Sequence, residues 1–276
     1  MTINCKGQLI DLFSPKVMGI LNVTPDSFYD GGQYKDETSI LSQVEMMLSD
    51  GATFIDIGGY SSRPGADVVS EDEELNRVVP VIELILKHFP EAIISTDTYR
   101  SKVARQSIEA GASLINDISA GHLDKAMIST VGELNVPYIM MHMRGNPKTM
   151  QQQTNYEDLV KDINFYFAER IAKAHTEKIN DIIIDPGFGF AKTLKQNYEL
   201  LHKMELLQIA DKPILAGVSR KSMIYKTLDT TAEHALNGTT ALHMVALQKG
   251  AKILRVHDVK EAAECVTLFN QLSHNN

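Results

Sequence analysis

Apolar positions along this chain fall into short continuous runs separated by stretches of helical period. The runs are VMGIL (17–21), FIDI (54–57), AIIST (92–96), SLIND (113–117), YIMMH (138–142), IIID (182–185), ILAGV (214–218) and ILRV (253–256). A β-branched run without polar alternation suits a strand buried on both faces, which is the habit of parallel sheets. The pattern therefore predicts eight strands. In the segment 71–87, Leu75, Val78, Val79, Ile82, Ile85 and Leu86 follow helical spacing, and Ser70 with Glu73 forms a capping-box signature. Pro80 lies inside that segment and predicts a kink or a split there.

Eight strands alternating with eight helical segments over about 250 residues is the count of a (β/α)8 TIM barrel, with right-handed crossovers placing every strand parallel. The competing architecture, a doubly wound open sheet, usually carries Gly-x-Gly-x-x-Gly after its first strand. Here NVTPDSFYDGGQY stands in that place. No linker, low-complexity tract or recurring motif interrupts the chain, so a single domain over residues 1–276 is expected, its barrel core at about 15–274.

Composition narrows the setting. The start, MTINCKGQLIDLF, has no basic segment followed by an apolar one, and no apolar run approaches a membrane span, so the cytoplasm is the expected compartment. Cys5 and Cys265 are the only cysteines and read as two reduced thiols. A formal charge of −8 opposes non-specific binding to nucleic acid or to a membrane, while leaving room for a local basic pocket. Neither kind of partner is expected.

In a barrel of this class the chemistry gathers where the strands end. Those ends carry Asn22, Asp56, Asp97, Asn116 with Asp117, His142, Asp185, Ser219 to Lys221, and Arg255 to Asp258. Any one Asp or Asn there is also an ordinary N-cap of the following helix. Together, acids and amides on one side, with Arg63, Arg220, Lys221, Arg255 and His257 on the other, suggest a ligand with a donor-rich head and an anionic tail.

The segments MGILNVTPDSFYDGG, DIGGYSSRPGA, STDTYRSKVA, INDISAG, IIIDPGFGFAK, GVSRKS and ILRVHDV, in this order and across almost the whole chain, resemble the dihydropteroate synthases, a pterin-binding family. The resemblance implies a barrel that joins 6-hydroxymethyl-7,8-dihydropterin pyrophosphate to 4-aminobenzoate and releases pyrophosphate. It implies that Asp185 accepts hydrogen bonds from the pterin's amino and ring N–H groups, with Asp97, Asn116, Met140, Phe190, Gly217 and Lys221 around the same ring. Asn22, Ser61, Ser62, Arg63, Arg255 and His257 would hold the diphosphate, and Asn22 would also touch Mg²⁺, the one cofactor implied. Phe28, Ser62, Pro64, Phe190, Lys221 and Ser222 are the aminobenzoate candidates; Arg63, Lys221, Arg255 and His257 are the catalytic ones. The implied chemistry is pyrophosphate departure followed by arylamine attack on a pterin methylene cation, with no protein nucleophile. A homodimer through the outer helices is the implied assembly.

The Gly- and Pro-rich segments 23–36 and 60–70 correspond to family loops that close over the substrates, although their composition equally fits plain surface loops. The second departs from the common Gly-Gly-Glu-Ser-Thr-Arg-Pro-Gly pattern, with Tyr60 in place of the acid and Ser62 in place of the threonine. Three other readings compete. Lys221 could form a Schiff base as in barrel aldolases, against which stands the adjacent Arg220. The chain could be a methyltetrahydrofolate-binding methyltransferase module, which would need no diphosphate site. It could also be a catalytically silent pterin-binding paralogue, which Tyr60 favours and the retained cations oppose.

Overall fold

The computed structural model describes residues 1–23, 33–60 and 69–273. Its first element lies where the apolar runs predict nothing. β1 (Thr2–Cys5) and β2 (Gln8–Asp11) pair as an antiparallel hairpin. The turn between them, Lys6-Gly7, has both residues at positive φ (52° and 87°), the pair of conformations that matches the twist of a two-residue hairpin. Ile3, Cys5 and Ile10 point to one side and join the core, so the hairpin is amphipathic in the period of a strand.

Eight parallel strands follow: β3 (Lys16–Asn22), β4 (Phe54–Gly58), β5 (Ile93–Asp97), β6 (Leu114–Asp117), β7 (Tyr138–Met141), β8 (Ile182–Asp185), β9 (Ile214–Ala216) and β10 (Ala251–Val256). They close into a barrel, β10 pairing with β3 from Ile253↔Lys16 to Val256↔Gly19. This is the (β/α)8 architecture expected from the runs. The helices between strands are α1 (Gln33–Ser49), α2 (Glu71–His88), α3 (Ser101–Ala110), α4 (Met127–Leu134), α5 (Leu159–Thr176), α6 (Leu194–His202), then α7 (Ser222–Thr227) with α8 (Leu236–Gln248), and finally α9 (Val259–Ser273).

The strand runs look uninterrupted because both of their faces are buried. Ile182 and Ile184 face the helices, while Ile183 faces the barrel axis. Each strand sends one apolar residue to the axis at the same level: Met18, Phe54, Ile93, Leu114, Ile139, Ile183, Leu215 and Ile253 form a floor that the hairpin's Ile3, Cys5, Ile10 and Leu12 seal from below. Two residues further along, five of the eight strands turn polar, at Asp56, Ser95, Asn116, Asp185 and Arg255. The dry floor confines ligand access to the strand C-termini.

Pro80 does not split α2, which runs unbroken through it. The carbonyl deprived of its donor is that of Asn76, and Asn76 and Pro80 are both on the exposed face, where a lost helical bond costs least. Ser70 caps the helix through Glu73 N–H as its spacing predicts, but the Glu73 carboxylate turns to Arg77 instead of completing the box.

Candidate active site at the barrel mouth

The axis-facing acids are tied together by one guanidinium. Arg255 on β10 donates from Nε to Asp56 Oδ2 (2.6 Å) and from Nη2 to Asp97 Oδ2 (2.8 Å), linking strands that lie on either side of β3. Burial opposes the charge on Arg255, and the Asp56 and Asp97 carboxylates outweigh it, so arginine's ordinary value is exceeded. Burial also pushes the Asp97 carboxyl up to about 7 against the pull of Arg255. A buried pair of this kind persists only where each charge is hydrogen-bonded, and Tyr60 supplies Asp97 Oδ1 with a further donor at 3.3 Å. Asp56, fully buried, accepts from Asn116 Nδ2 as well (3.0 Å). A carboxylate can only accept, so the amide nitrogen must face Asp56 and the carbonyl oxygen of Asn116 is turned to the mouth as an acceptor.

The opposite wall is the segment that leaves β8. Asp185 Oδ1 accepts from Gly187 N–H at 2.7 Å, an Asx turn that bends the chain sharply at Pro186. Gly187 has φ +70°, and a Cβ there would stand 2.2 Å from the carbonyl of His142, so only glycine fits. Lys221, at the N-terminus of α7, donates to the Phe188 carbonyl and lies 5.0 Å from the centre of the Phe190 ring. Burial lowers the Lys221 ammonium to about 8 against the attraction of Asp185, and burial raises the Asp185 carboxyl against Lys221 and Gly187 N–H.

Between these walls lies a pocket of about 320 Å³, part of it open to solvent. Asp97, Asn116, Asp185, Lys221 and Arg255 supply its polar lining, and Ile118, Met141 and Phe190 its apolar lining. Gly217 completes the wall, and a Cβ on it would stand 3.8 Å from Lys221 Nζ, inside the space a ligand ring would take. A flat heterocycle with donors on one edge and acceptors on another matches such a surround.

The sequence model of pterin binding enzymes matches residues 18–257. The dihydropteroate synthase of Escherichia coli K12 is 44% identical over 268 residues, 96% of this chain and 94% of the relative. That of Haemophilus influenzae is 44% identical over 98% of both chains. Among solved structures, the Yersinia pestis dihydropteroate synthase in a sulfonamide drug complex has a TM-score of 0.93 at 43% identity, covering 99% of this chain and 100% of its own. The Xanthomonas albilineans enzyme with 4-aminobenzoic acid has a TM-score of 0.91 at 37% identity, covering 99% and 98%. The chain belongs to the dihydropteroate synthases.

Of the residues the family pattern singles out for the pterin, Asp97, Asn116, Asp185, Phe190, Gly217 and Lys221 come together around this pocket. Met140 does not. It faces the helices with Tyr138, and its neighbour Met141 faces the mouth, because successive strand residues point to opposite faces. The same alternation separates Asn116 from Asp117, whose buried carboxylate accepts from Ser119, Gly121 and the Tyr138 hydroxyl behind the strand. Arg220 also leaves the predicted group of cations, since its guanidinium grips Asp258 with two bonds (2.8 and 2.7 Å) and donates to the carbonyls of Ala232 and Glu233.

His257, exposed just beyond β10, has Nδ1 3.1 Å from Ser219 Oγ. Asn22 ends β3 and is exposed beside Gly58 of β4. Ser222 opens α7 next to Lys221 without lining the pocket. Phe28, Ser61, Ser62, Arg63 and Pro64 lie outside the described residues. Strand ends alone do not single out Ile118 or Met141 for the pocket, nor Tyr60 as a partner of Asp97. Counting in twos from Asn116 and from Ile139 would have found the first pair, and nothing local marks the third.

Proposed function

We propose that this chain condenses 6-hydroxymethyl-7,8-dihydropterin pyrophosphate with 4-aminobenzoate to give 7,8-dihydropteroate and pyrophosphate in folate synthesis. The observation that carries the proposal is the polarity of the pocket, with the acceptors of Asp185 and Asn116 facing the same space as the Lys221 ammonium. Asp185 Oδ2 and Asn116 Oδ1 accept from the pterin's amino and ring N–H groups, and Lys221 donates to a ring acceptor. A ring without those donors would leave a buried carboxylate unpaired, and that penalty, more than the bonds gained, makes the site selective.

The diphosphate extends toward Arg255 and His257; Ser61, Ser62 and Arg63, outside the described residues, remain its other candidate partners. Among the described residues no group of three or more His, Cys, Asp or Glu could hold a metal. The exposed Asn22 amide fits instead as one oxygen donor to a Mg²⁺ that shares the substrate's phosphate oxygens. Bound there, the ion would neutralise charge on the departing pyrophosphate. The C–O bond breaks with its electron pair leaving on pyrophosphate, and the arylamine nitrogen bonds to the methylene carbon and then loses a proton. The chain's own residues orient the ring, and their fixed charges favour the separation of charge as that bond opens. Aminobenzoate would sit over Phe190 and Lys221 near Ser222; Phe28, Ser62 and Pro64, outside the described residues, are its other candidates.

The buried, free Cys5 and Cys265 support a reducing cytoplasm as its compartment, and none of the described helices is long and apolar enough to cross a membrane. Exposed Leu228, just past α7, and Leu268 and Leu272 on α9 support pairing of two copies there. The test is direct: purified protein given the pterin diphosphate, aminobenzoate and Mg²⁺ should form dihydropteroate and stop with EDTA. Pterin binding without turnover would leave only a silent binder.

A further inference from the structure

A lysine that does not line the pocket sits behind the segment leaving β8. Lys192 is 4% exposed, and its Nζ lies 3.0 Å from each of His142 Nδ1, Gly187 O and Phe190 O. Burial lowers the Lys192 ammonium to about 7 against the pull of Asp185; while charged it has three N–H donors and no acceptor, so three acceptors satisfy it completely. Nδ1 of His142 must then be unprotonated, the ring neutral with its proton on Nε2. His142 is itself buried and braced, its N–H donating to the Asp185 carbonyl at 2.9 Å. Burial, and then the Lys192 charge, hold its imidazole well below the usual histidine range, which agrees with that assignment.

The segment needs such a brace. Gly187, Gly189 and Ala191 all have positive φ (70°, 83° and 49°), a conformation that costs energy for alanine and turns carbonyls inward. Those carbonyls have donors: Lys192 serves Gly187 and Phe190, Lys221 serves Phe188, and Tyr156 serves Ala191 at 3.0 Å. The two residues whose carbonyls Lys192 holds are the ones that matter at the mouth. Gly187 N–H orients the Asp185 carboxylate, and the Phe190 ring lines the pocket.

We propose that Lys192, seated on neutral His142, is a positioning residue for the pterin, holding the turn so that Asp185 Oδ2 and the Phe190 ring face the same ligand. The proposal rests on the pterin reading above. Lys192→Met keeps the volume but removes every donor. It should weaken binding of the pterin diphosphate, measured by calorimetry, by about tenfold to a hundredfold, because small misplacements of binding groups carry penalties of that size. The KM for that substrate should rise with it, while kcat at saturation changes far less. His142→Leu, which removes the seat, should behave like Lys192→Met, and His142→Asn, which keeps an acceptor near the Nδ1 position, should recover much of the affinity that His142→Leu loses. Equal pterin affinity in wild type and Lys192→Met would overturn the proposal. So would His142→Asn and His142→Leu losing affinity alike, and that pair decides the matter if Lys192→Met does not fold. A wild-type protein that binds no pterin would instead sink the functional reading.

Discussion

Replacing Asp185 with asparagine tests the pocket's central acid with little change of shape. Asp185 Oδ1 is engaged by Gly187 N–H at 2.7 Å, and an asparagine oxygen can keep that bond, so the turn should survive. The remaining position becomes an amide N–H₂, which donates toward ligand groups that also donate. Hydrogen bonds to a charged group contribute about 1.5–3 kcal/mol each. With Asn116 Oδ1 taking the other pterin donor, one such bond on Asp185 Oδ2 puts the loss at about 1.5–3 kcal/mol, or on the order of 10- to 100-fold in Kd. A second loss adds to it: Asp185 supports the Lys221 ammonium against burial, so the asparagine leaves that lysine more readily deprotonated. The fold itself should lose little, because burial already raises the Asp185 carboxyl and a neutral amide escapes that cost. Calorimetric titration of the folded variant with the pterin diphosphate near neutral pH, beside a thermal melt, reads both terms. A Kd within about threefold of wild type, in protein melting normally, would refute the carboxylate's role and with it the energetic reasoning.

Three further outcomes are expected. Lys221 gives the ligand a charge-assisted hydrogen bond only while protonated, and burial has brought its ammonium down to about 8, so kcat/KM should fall as pH rises through about 8; Lys221→Arg, charged throughout, should remove that limb whatever its absolute rate, and an unchanged profile would count against Lys221. Gly217→Ala adds a Cβ 3.8 Å from Lys221 Nζ, which the empty fold tolerates but a bound ring does not, so pterin affinity should fall about tenfold with an unchanged melt; Gly187→Ala, whose Cβ would meet the His142 carbonyl at 2.2 Å, should fail at the level of folding. Pro80→Ala, on the exposed face of α2, should raise stability to denaturant by about 1–2 kcal/mol by restoring a helical N–H, and no gain would mean that α2 is already adapted to the proline.

Much of this protein is legible along the chain. The eight apolar runs name the barrel strands to within a residue or two, since a strand buried on both faces reads as a short continuous apolar run. The residue type at each strand end is equally plain, which is why Asp97, Asn116, Asp185, Lys221 and Arg255 stand out as chemistry before any fold is known. What linear order cannot carry is direction and partnership. Met141 rather than Met140, and Asn116 rather than Asp117, face the mouth because the strand's phase against the barrel axis is set by its pairing with neighbours. Arg255 takes two acids 199 and 158 residues away, whereas Arg220 is spent on Asp258, a choice made by distance across the closed sheet. The hairpin at residues 2–11 has too few apolar positions to register as a run, and its meaning appears only as a seal beneath the floor. Lys192 reads as one more surface cation until folding closes His142 and two carbonyls around it. Composition selects local conformation and chemical type through short-range forces, but which of those groups meet in space depends on long-range strand pairing, and the site is made of such meetings.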